Sequence, residues 1–264
     1  MNITIGQYYP TGSCVHKLDP RLKLVCSFAY VILLFLIDTA LGYALAGAFV
    51  LWAIRLAKVP LRFILRGLRA IFFLLSFTVV INIFMFPGET LLATIGPVAV
   101  YEEGMFMAAI LAVRLCLLII SSSLLTLTTT PTELTGAMEY IMAPLRRFGV
   151  PTAEIAMMMT IALRFIPTLI EEMHKIMKAQ KARGADFESG GLVKKAKGLV
   201  PLLVPLFVSA FRRADELAMA MEARCYRPDA PRTKMKVHSL NARDAVAACV
   251  VVVVFAGALA INFL

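Results

Sequence analysis

Residues 104–127 read GMFMAAILAVRLCLLIISSSLLTL, an apolar run interrupted by one charge, Arg114. A helix rises about 1.5 Å per residue, so roughly 20 apolar residues cross the ~30 Å hydrocarbon core of a bilayer. This run is long enough. Four other stretches are apolar in the same way, at about 22–37, 39–56, 68–86 and 245–264. The first two adjoin at Asp38-Thr39 and are together too long for one crossing, so they read as a tight hairpin. The expected fold is an all-α integral membrane protein with about five transmembrane helices.

Composition agrees. The 264 residues are 60% hydrophobic and 17% charged, with a net charge of +10, whereas soluble domains carry about 25% charged residues. The basic excess argues for membrane topology and not for nucleic acid, because inner loops of membrane proteins collect Lys and Arg. Lys17, Arg21 and Lys23 precede the first span, and Arg55, Lys58, Arg62, Arg66 and Arg69 lie between the second and third. The 87–103 loop has Glu89, Glu102 and Glu103 and no basic residue. The positive-inside rule then sets the N-terminus in the cytoplasm and the C-terminus outside. The polar residues 1–23 are too long and mixed for the start of a signal peptide, so the first span is expected to be a retained anchor.

The chain divides accordingly. Residues 1–130 form a membrane region with four spans, 131–241 a helical cytoplasmic domain, and 242–264 the last span. The middle segment holds 17 Lys and Arg against 11 Asp and Glu, too many residues for a loop. Thr130 reads as an N-cap ahead of Pro131-Thr132-Glu133. Helical periodicity is clear over 166–181 and 206–222. Glu188-Ser189-Gly190-Gly191 separates the two, and Pro228 and Pro231 end the second. Each of these helices closes on the same pair, Ala182-Arg183 before Gly184 and Ala223-Arg224 before Cys225, 41 positions apart. A helix C-terminus by itself favours glycine at C′ and a cation nearby.

Catalytic chemistry is absent from the pattern. No phosphate-binding glycine loop ends in Lys-Ser or Lys-Thr, so the chain is not expected to hydrolyse ATP, and no HExxH zinc motif occurs. Of the histidines His16, His174 and His238, only His174 has a ligand-like spacing, to Glu171, and diiron bundles need two such motifs plus further Glu. Cys14, Cys26, Cys116, Cys225 and Cys249 show no CxxC spacing, which predicts neither disulfide nor metal site. Arg114, deep in a span, is either a functional residue or the partner of a neighbouring helix. Ala40, Ala44 and Ala48 form a small-residue stripe suited to close helix packing. The methionines, Met157-Met158-Met159, Met219 and Met221 among them, suit either ordinary core or an adaptable surface.

With that architecture in place, the chain resembles the transmembrane T-component of energy-coupling factor (ECF) type ABC transporters, prokaryotic importers of vitamins and metal ions. HKLDPRLKL at 16–24 is similar to the family's entry into the first span, and RRFGVPTAEIAMMMTIALRFIPTLIEE at 146–172 to its central signature. Ala182-Arg183-Gly184 and Ala223-Arg224-Cys225 match its two coupling motifs, with Cys225 where glycine is common. The substitution leaves open whether the second helix ends in a left-handed cap. The resemblance implies a plasma-membrane, non-catalytic scaffold with no cofactor of its own. Its implied partners are two ABC ATPases, which bind ATP and meet Arg183 and Arg224 with acidic grooves, and a substrate-binding S-component. The apolar, Met-rich faces of 134–177 are the implied platform for that S-component. The alternatives from the residues alone are a conventional ABC permease, whose Glu-Ala-Ala coupling loop is not found, and a membrane enzyme resting on Arg114.

Overall fold

The computed structural model describes residues 8–85, 90–95, 98–185, 191–227 and 241–263. The break at Glu188–Gly190, the stops at Pro228 and Pro231, Glu89 and His238 lie outside them. Eight α-helices follow in order: α1 Pro20–Leu36, α2 Ala40–Ala57, α3 Leu61–Met85, α4 Glu102–Thr128, α5 Pro131–Met142, α6 Thr152–Ala182, α7 Leu192–Ala223 and α8 Ala242–Phe263. The five spans read from hydropathy correspond to α1, α2, α3, α4 and α8. Between α3 and α4, where sequence predicts only a loop, a short antiparallel ribbon pairs β1 (Leu91–Ile95) with β2 (Val98–Tyr101).

The chain forms two compact units, residues 1–141 with 238–264, and residues 142–237. So α5, which the sequence reading groups with the cytoplasmic segment, belongs to the first unit. There, Asp19 caps α1 by accepting the Arg21 N–H at 2.9 Å, with Pro20 at the first helical position, where its missing N–H costs nothing. Thr130 and Glu133 cap α5 reciprocally: the Glu133 N–H donates to Thr130 Oγ1 at 3.3 Å and the Thr130 N–H to Glu133 Oε2 at 3.1 Å.

Helices α4 and α8 each pack against both α1 and α2, and α3 packs against α4. Leu33, Leu34, Ile37, Tyr43, Ala46, Val50 and Ile54 fill the core between them. The buried face of α2 is therefore Tyr43, Ala46, Val50 and Ile54, while Ala40, Ala44 and Ala48 are exposed. The small-residue stripe is not this unit's packing face; the face with Tyr43, Val50 and Ile54 is, because those side chains have more apolar area to bury.

Four helices are long and apolar enough to cross a membrane, at Ala40–Ala57, Glu102–Thr128, Thr152–Ala182 and Ala242–Asn262. The third of these is α6, a helix in the segment where the sequence reading counts no span. The two parts of α3, Leu61–Arg69 and Ile71–Phe84, are bent by 58° and make a fifth when taken as one span. Helix α1 has 17 residues, a rise of about 26 Å that falls short of the ~30 Å core. It joins the spans as one leg of the α1–α2 hairpin.

The second unit contains a 3-10 turn at Ala143–Phe148, α6 and α7. Both long helices begin earlier than their periodicity shows, and they run through Pro167 and through Pro201 and Pro205. Proline removes one intrahelical bond and perturbs the preceding turn but need not end a long helix. The two helices pack together, with Arg213 Nη2 3.8 Å from Glu172 Oε2.

Candidate functional site

The two Ala-Arg ends are built alike. Arg183 is the C-cap of α6, and Gly184 follows at φ 86°. The Gly184 N–H donates to the Lys181 carbonyl and the Ala185 N–H to the Gln180 carbonyl, both at 3.0 Å. At the end of α7, Arg224 is followed by Cys225 at φ 54°. The Cys225 N–H donates to the Glu222 carbonyl at 2.8 Å and the Tyr226 N–H to the Met221 carbonyl at 3.0 Å. This is the paired 5→2 and 6→1 bonding of a Schellman motif, formed twice. Cysteine thus takes the left-handed cap at the second end.

The correspondence extends inward. Glu172 and Arg213, the bridge between α6 and α7, each stand eleven residues before the arginine of their own helix, about 17 Å along the axis. Each helix projects beyond the bridge by the same length and ends in an arginine. Arg183 and Arg224 are exposed, and among the described residues neither side chain has a hydrogen bond or ion pair. A guanidinium held at a fixed helix end, with small Ala and Gly or Cys neighbours, is arranged to receive a carboxylate from outside the chain.

An added β-carbon at Gly184 would meet nothing within 4 Å, so substitution there is governed by backbone strain alone. Left-handed backbone costs a non-glycine residue about 1–2 kcal/mol, partly offset by the stiffer unfolded chain, leaving about 0.5–1 kcal/mol. Cys225→Gly should therefore slow amide exchange at Tyr226 about 2- to 5-fold, and Gly184→Ala should speed it at Ala185 by a similar factor. Unchanged exchange in both variants would show that the caps are not set by left-handed strain.

Arg114 belongs elsewhere, at the turn of the α1–α2 hairpin. Its Nε donates to Tyr43 Oη at 2.6 Å and its Nη2 to the Ile37 carbonyl at 3.2 Å. The Tyr43 hydroxyl donates to the Ile37 carbonyl at 2.7 Å, and Asn262 Nδ2 donates to the Leu36 carbonyl at 3.1 Å. Helix α1 ends here with carbonyls that an apolar surrounding leaves without water, and these side chains satisfy them. An ion pair from Arg114 Nη2 to Asp38 Oδ1, 3.3 Å long, joins them, with the Asp38 side chain 82% exposed. Arg114 is thus paired with the neighbouring helices.

The opposite end of this unit is closed by residues that sequence reasoning reads only as a signature. Lys23, 8% exposed, donates through Nζ to the His16 carbonyl at 3.0 Å and the Thr128 carbonyl at 3.1 Å. Asp244, 3% exposed, accepts from the backbone N–H of Asp19 and of Asn241, both at 2.9 Å. His16 Nε2 donates to the Tyr9 carbonyl at 2.9 Å and Nδ1 accepts from Ser13 Oγ at 2.7 Å. Burial holds the His16 pKa below its usual 6.5, which favours this neutral form. Arg21 lies 4.2 Å over the Tyr140 ring. Thus HKLDPRLK ties the start of α1 to α4, α5 and α8. The signal available in sequence was two ionisable residues, Asp19 and Lys23, flanking an apolar run; their partners Asp244 and Thr128 are more than 100 positions away and carry no local mark.

Residues 11–236 match the family model described as cobalt transport protein, CbiQ. The chain is 55% identical over 255 residues to the energy-coupling factor transporter transmembrane protein EcfT of Clostridium kluyveri, covering 96% of this chain and 94% of that one. It is 51% identical over 245 residues to the protein of the same name from Thermosediminibacter oceani, covering 93% and 92%. Against that of Bacillus subtilis it is 47% identical over 235 residues, covering 89% of each.

Proposed function

The chain belongs to the family of energy-coupling factor transporter transmembrane proteins, and we propose that it is the coupling scaffold of such a transporter. It joins two ABC ATPases to a substrate-binding S-component and passes the motion of the first to the second. The observation that carries this reading is the matched pair of helix ends, each an exposed arginine on a Schellman cap about 17 Å beyond the α6–α7 bridge. One arginine serves each ATPase, so that closure of the ATPases moves the two helices together. The small residues Ala182, Gly184, Ala223 and Cys225 leave Arg183 and Arg224 open to close approach.

The charge distribution supports the rest. On α6 five charged residues, Glu171, Glu172, Lys175, Lys178 and Lys181, gather in the C-terminal half, against Glu154 and Arg164 in the N-terminal half that carries Met157–Met159. Helix α7 exposes Leu203, Phe207 and Phe211 at a spacing of four, at 47, 60 and 69%. That spacing makes one continuous apolar face, and an exposed patch of this kind marks a partner or membrane surface. The platform for the S-component therefore includes α7 as well as the faces of 134–177. ATP is held by the ATPases, the cargo is a vitamin or metal ion captured by the S-component, and the chain itself is not an enzyme.

The scaffold sits in the plasma membrane of a prokaryote with its N-terminus and the 142–237 unit in the cytoplasm, as the basic and acidic loops indicate. In a chain freed of natural cysteines, an impermeant reagent applied outside should label cysteine at Glu102 and not at Lys178. The chain purified alone should hydrolyse no ATP, and ATPase should copurify when the partners are expressed. Labelling in the reverse pattern, or ATPase activity of the isolated chain, would overturn the assignment.

A further inference from the structure

In the first unit, α1, α2, α4 and α8 line an open-sided cavity of about 540 Å³, within the ~300–1,000 Å³ range of small-ligand sites. Because α4 and α8 pack against both α1 and α2, the legs of the hairpin form opposite walls. The lining comes from the starts of α1 and α8 and the ends of α2 and α4. Along α8 it runs from Ala242 to Val251, about 14 Å deep at 1.5 Å per residue. Toward the hairpin turn the cavity is closed by Tyr30, whose hydroxyl donates to the Ala46 carbonyl at 3.2 Å. Phe49 packs beside it, with ring centroids 6.1 Å apart.

The deep wall is aliphatic and aromatic. Ser121, one of its few hydroxyls, donates to the carbonyl of Leu118 on its own helix at 3.0 Å. Nothing there would hold a polar ligand or ordered water. The mouth is different. Lys23 lends its stem to the lining, but its ammonium is engaged by two carbonyls. Asp244 is turned inward onto two backbone N–H groups. Its neighbour Arg243 is left exposed at the mouth, with no side-chain partner among the described residues. An apolar shaft with one free guanidinium at its entrance complements an amphiphile that has a long hydrocarbon tail and an anionic head.

We propose that this cavity holds one acyl chain of an anionic phospholipid whose phosphate is bound by Arg243. The guanidinium fork fits a phosphate in bidentate fashion, and a basic residue at a membrane surface is the usual attraction for anionic headgroups. The occupant would brace the two legs of the hairpin below their contact at Tyr30 and Phe49. This site stands apart from the Arg183 and Arg224 ends, so its failure would leave the coupling role untouched.

The only tryptophan of the chain, Trp52, lines the cavity, which supplies the test. The full-length chain, in mild detergent, is titrated with phosphatidylglycerol brominated in its acyl chains, and separately with phosphatidylcholine brominated in the same way. Trp52 fluorescence should show a saturable quenching component, reached at about 5-fold lower phosphatidylglycerol than phosphatidylcholine. Arg243→Gln should remove the headgroup preference, and Ala247→Phe, which fills the shaft, should remove the saturable component. Quenching that rises linearly, equally for both lipids and in both variants, would mean only bulk lipid against an open face. No quenching by either lipid would mean that protein fills the cavity, and would equally overturn the proposal.

Discussion

Replacing Arg183 and Arg224 together with alanine should strip the ATPases from the complex while leaving the chain folded and inserted. If the arginines only faced their helix dipoles, each loss would cost about 0.3–1 kcal/mol of local stability and leave assembly intact. The side chains have no partner among the described residues, and the caps are closed by backbone bonds alone, so the fold has little to lose. If each guanidinium fills an acidic groove, its removal strands a buried carboxylate on the partner. That loss is about 2–5 kcal/mol per site, or roughly 30-fold to several thousand-fold in affinity. Arg→Glu should be worse, because like charges then meet. Arg212→Ala, an exposed cation on the same helix as Arg224, is the control and should retain the ATPases. Copurified ATPase and uptake of the transported substrate are the readouts. Full ATPase retention by the double alanine variant would reduce both arginines to ordinary helix ends.

The second large effect is expected at Lys23. Its ammonium is the donor for the His16 and Thr128 carbonyls, and its charge opposes Glu133, Asp19 and Asp244. Asp19 Oδ2 is buried with no hydrogen-bond partner of its own, so it relies on that nearby charge. Lys23→Met keeps the bulk of the stem but leaves two carbonyls and a carboxylate group uncompensated, at about 2–4 kcal/mol of stability. Asp244→Ala, which strands the N–H groups of Asp19 and Asn241, should cost a similar amount. Lys17→Met removes an exposed charge four positions from the Arg21 backbone and should lie within about 0.5 kcal/mol of the parent. Denaturation in mixed detergent micelles compares the three. A Lys23→Met protein that unfolds with the parent would show that the buried cluster does not hold α1, α4 and α8 together.

The membrane class, the positions of α1–α4 and α8, and the two Ala-Arg ends were legible in the sequence, because each is written locally. An apolar run of sufficient length, a shift from acidic to basic loops and a repeated helix end all lie within a few turns of chain. The lengths of α6 and α7 were only partly legible. Pro167, Pro201 and Pro205 break the local signal, and a helix that continues past proline does so because the surrounding turns and packing hold it. The cap at Cys225 was not legible either. Cysteine disfavours left-handed backbone, and only the bonds from the Cys225 and Tyr226 N–H groups to Glu222 and Met221 show that the helix end overrides that preference. Tertiary structure alone decided the partners of Arg114, the buried Lys23–Asp244 cluster and the cavity below Tyr30. Each depends on residues that approach from helices far apart in sequence, such as Asp19 and Asp244, 225 positions from one another. A polar group in an apolar interior must find a partner wherever the fold brings one, and no local pattern records where that partner lies.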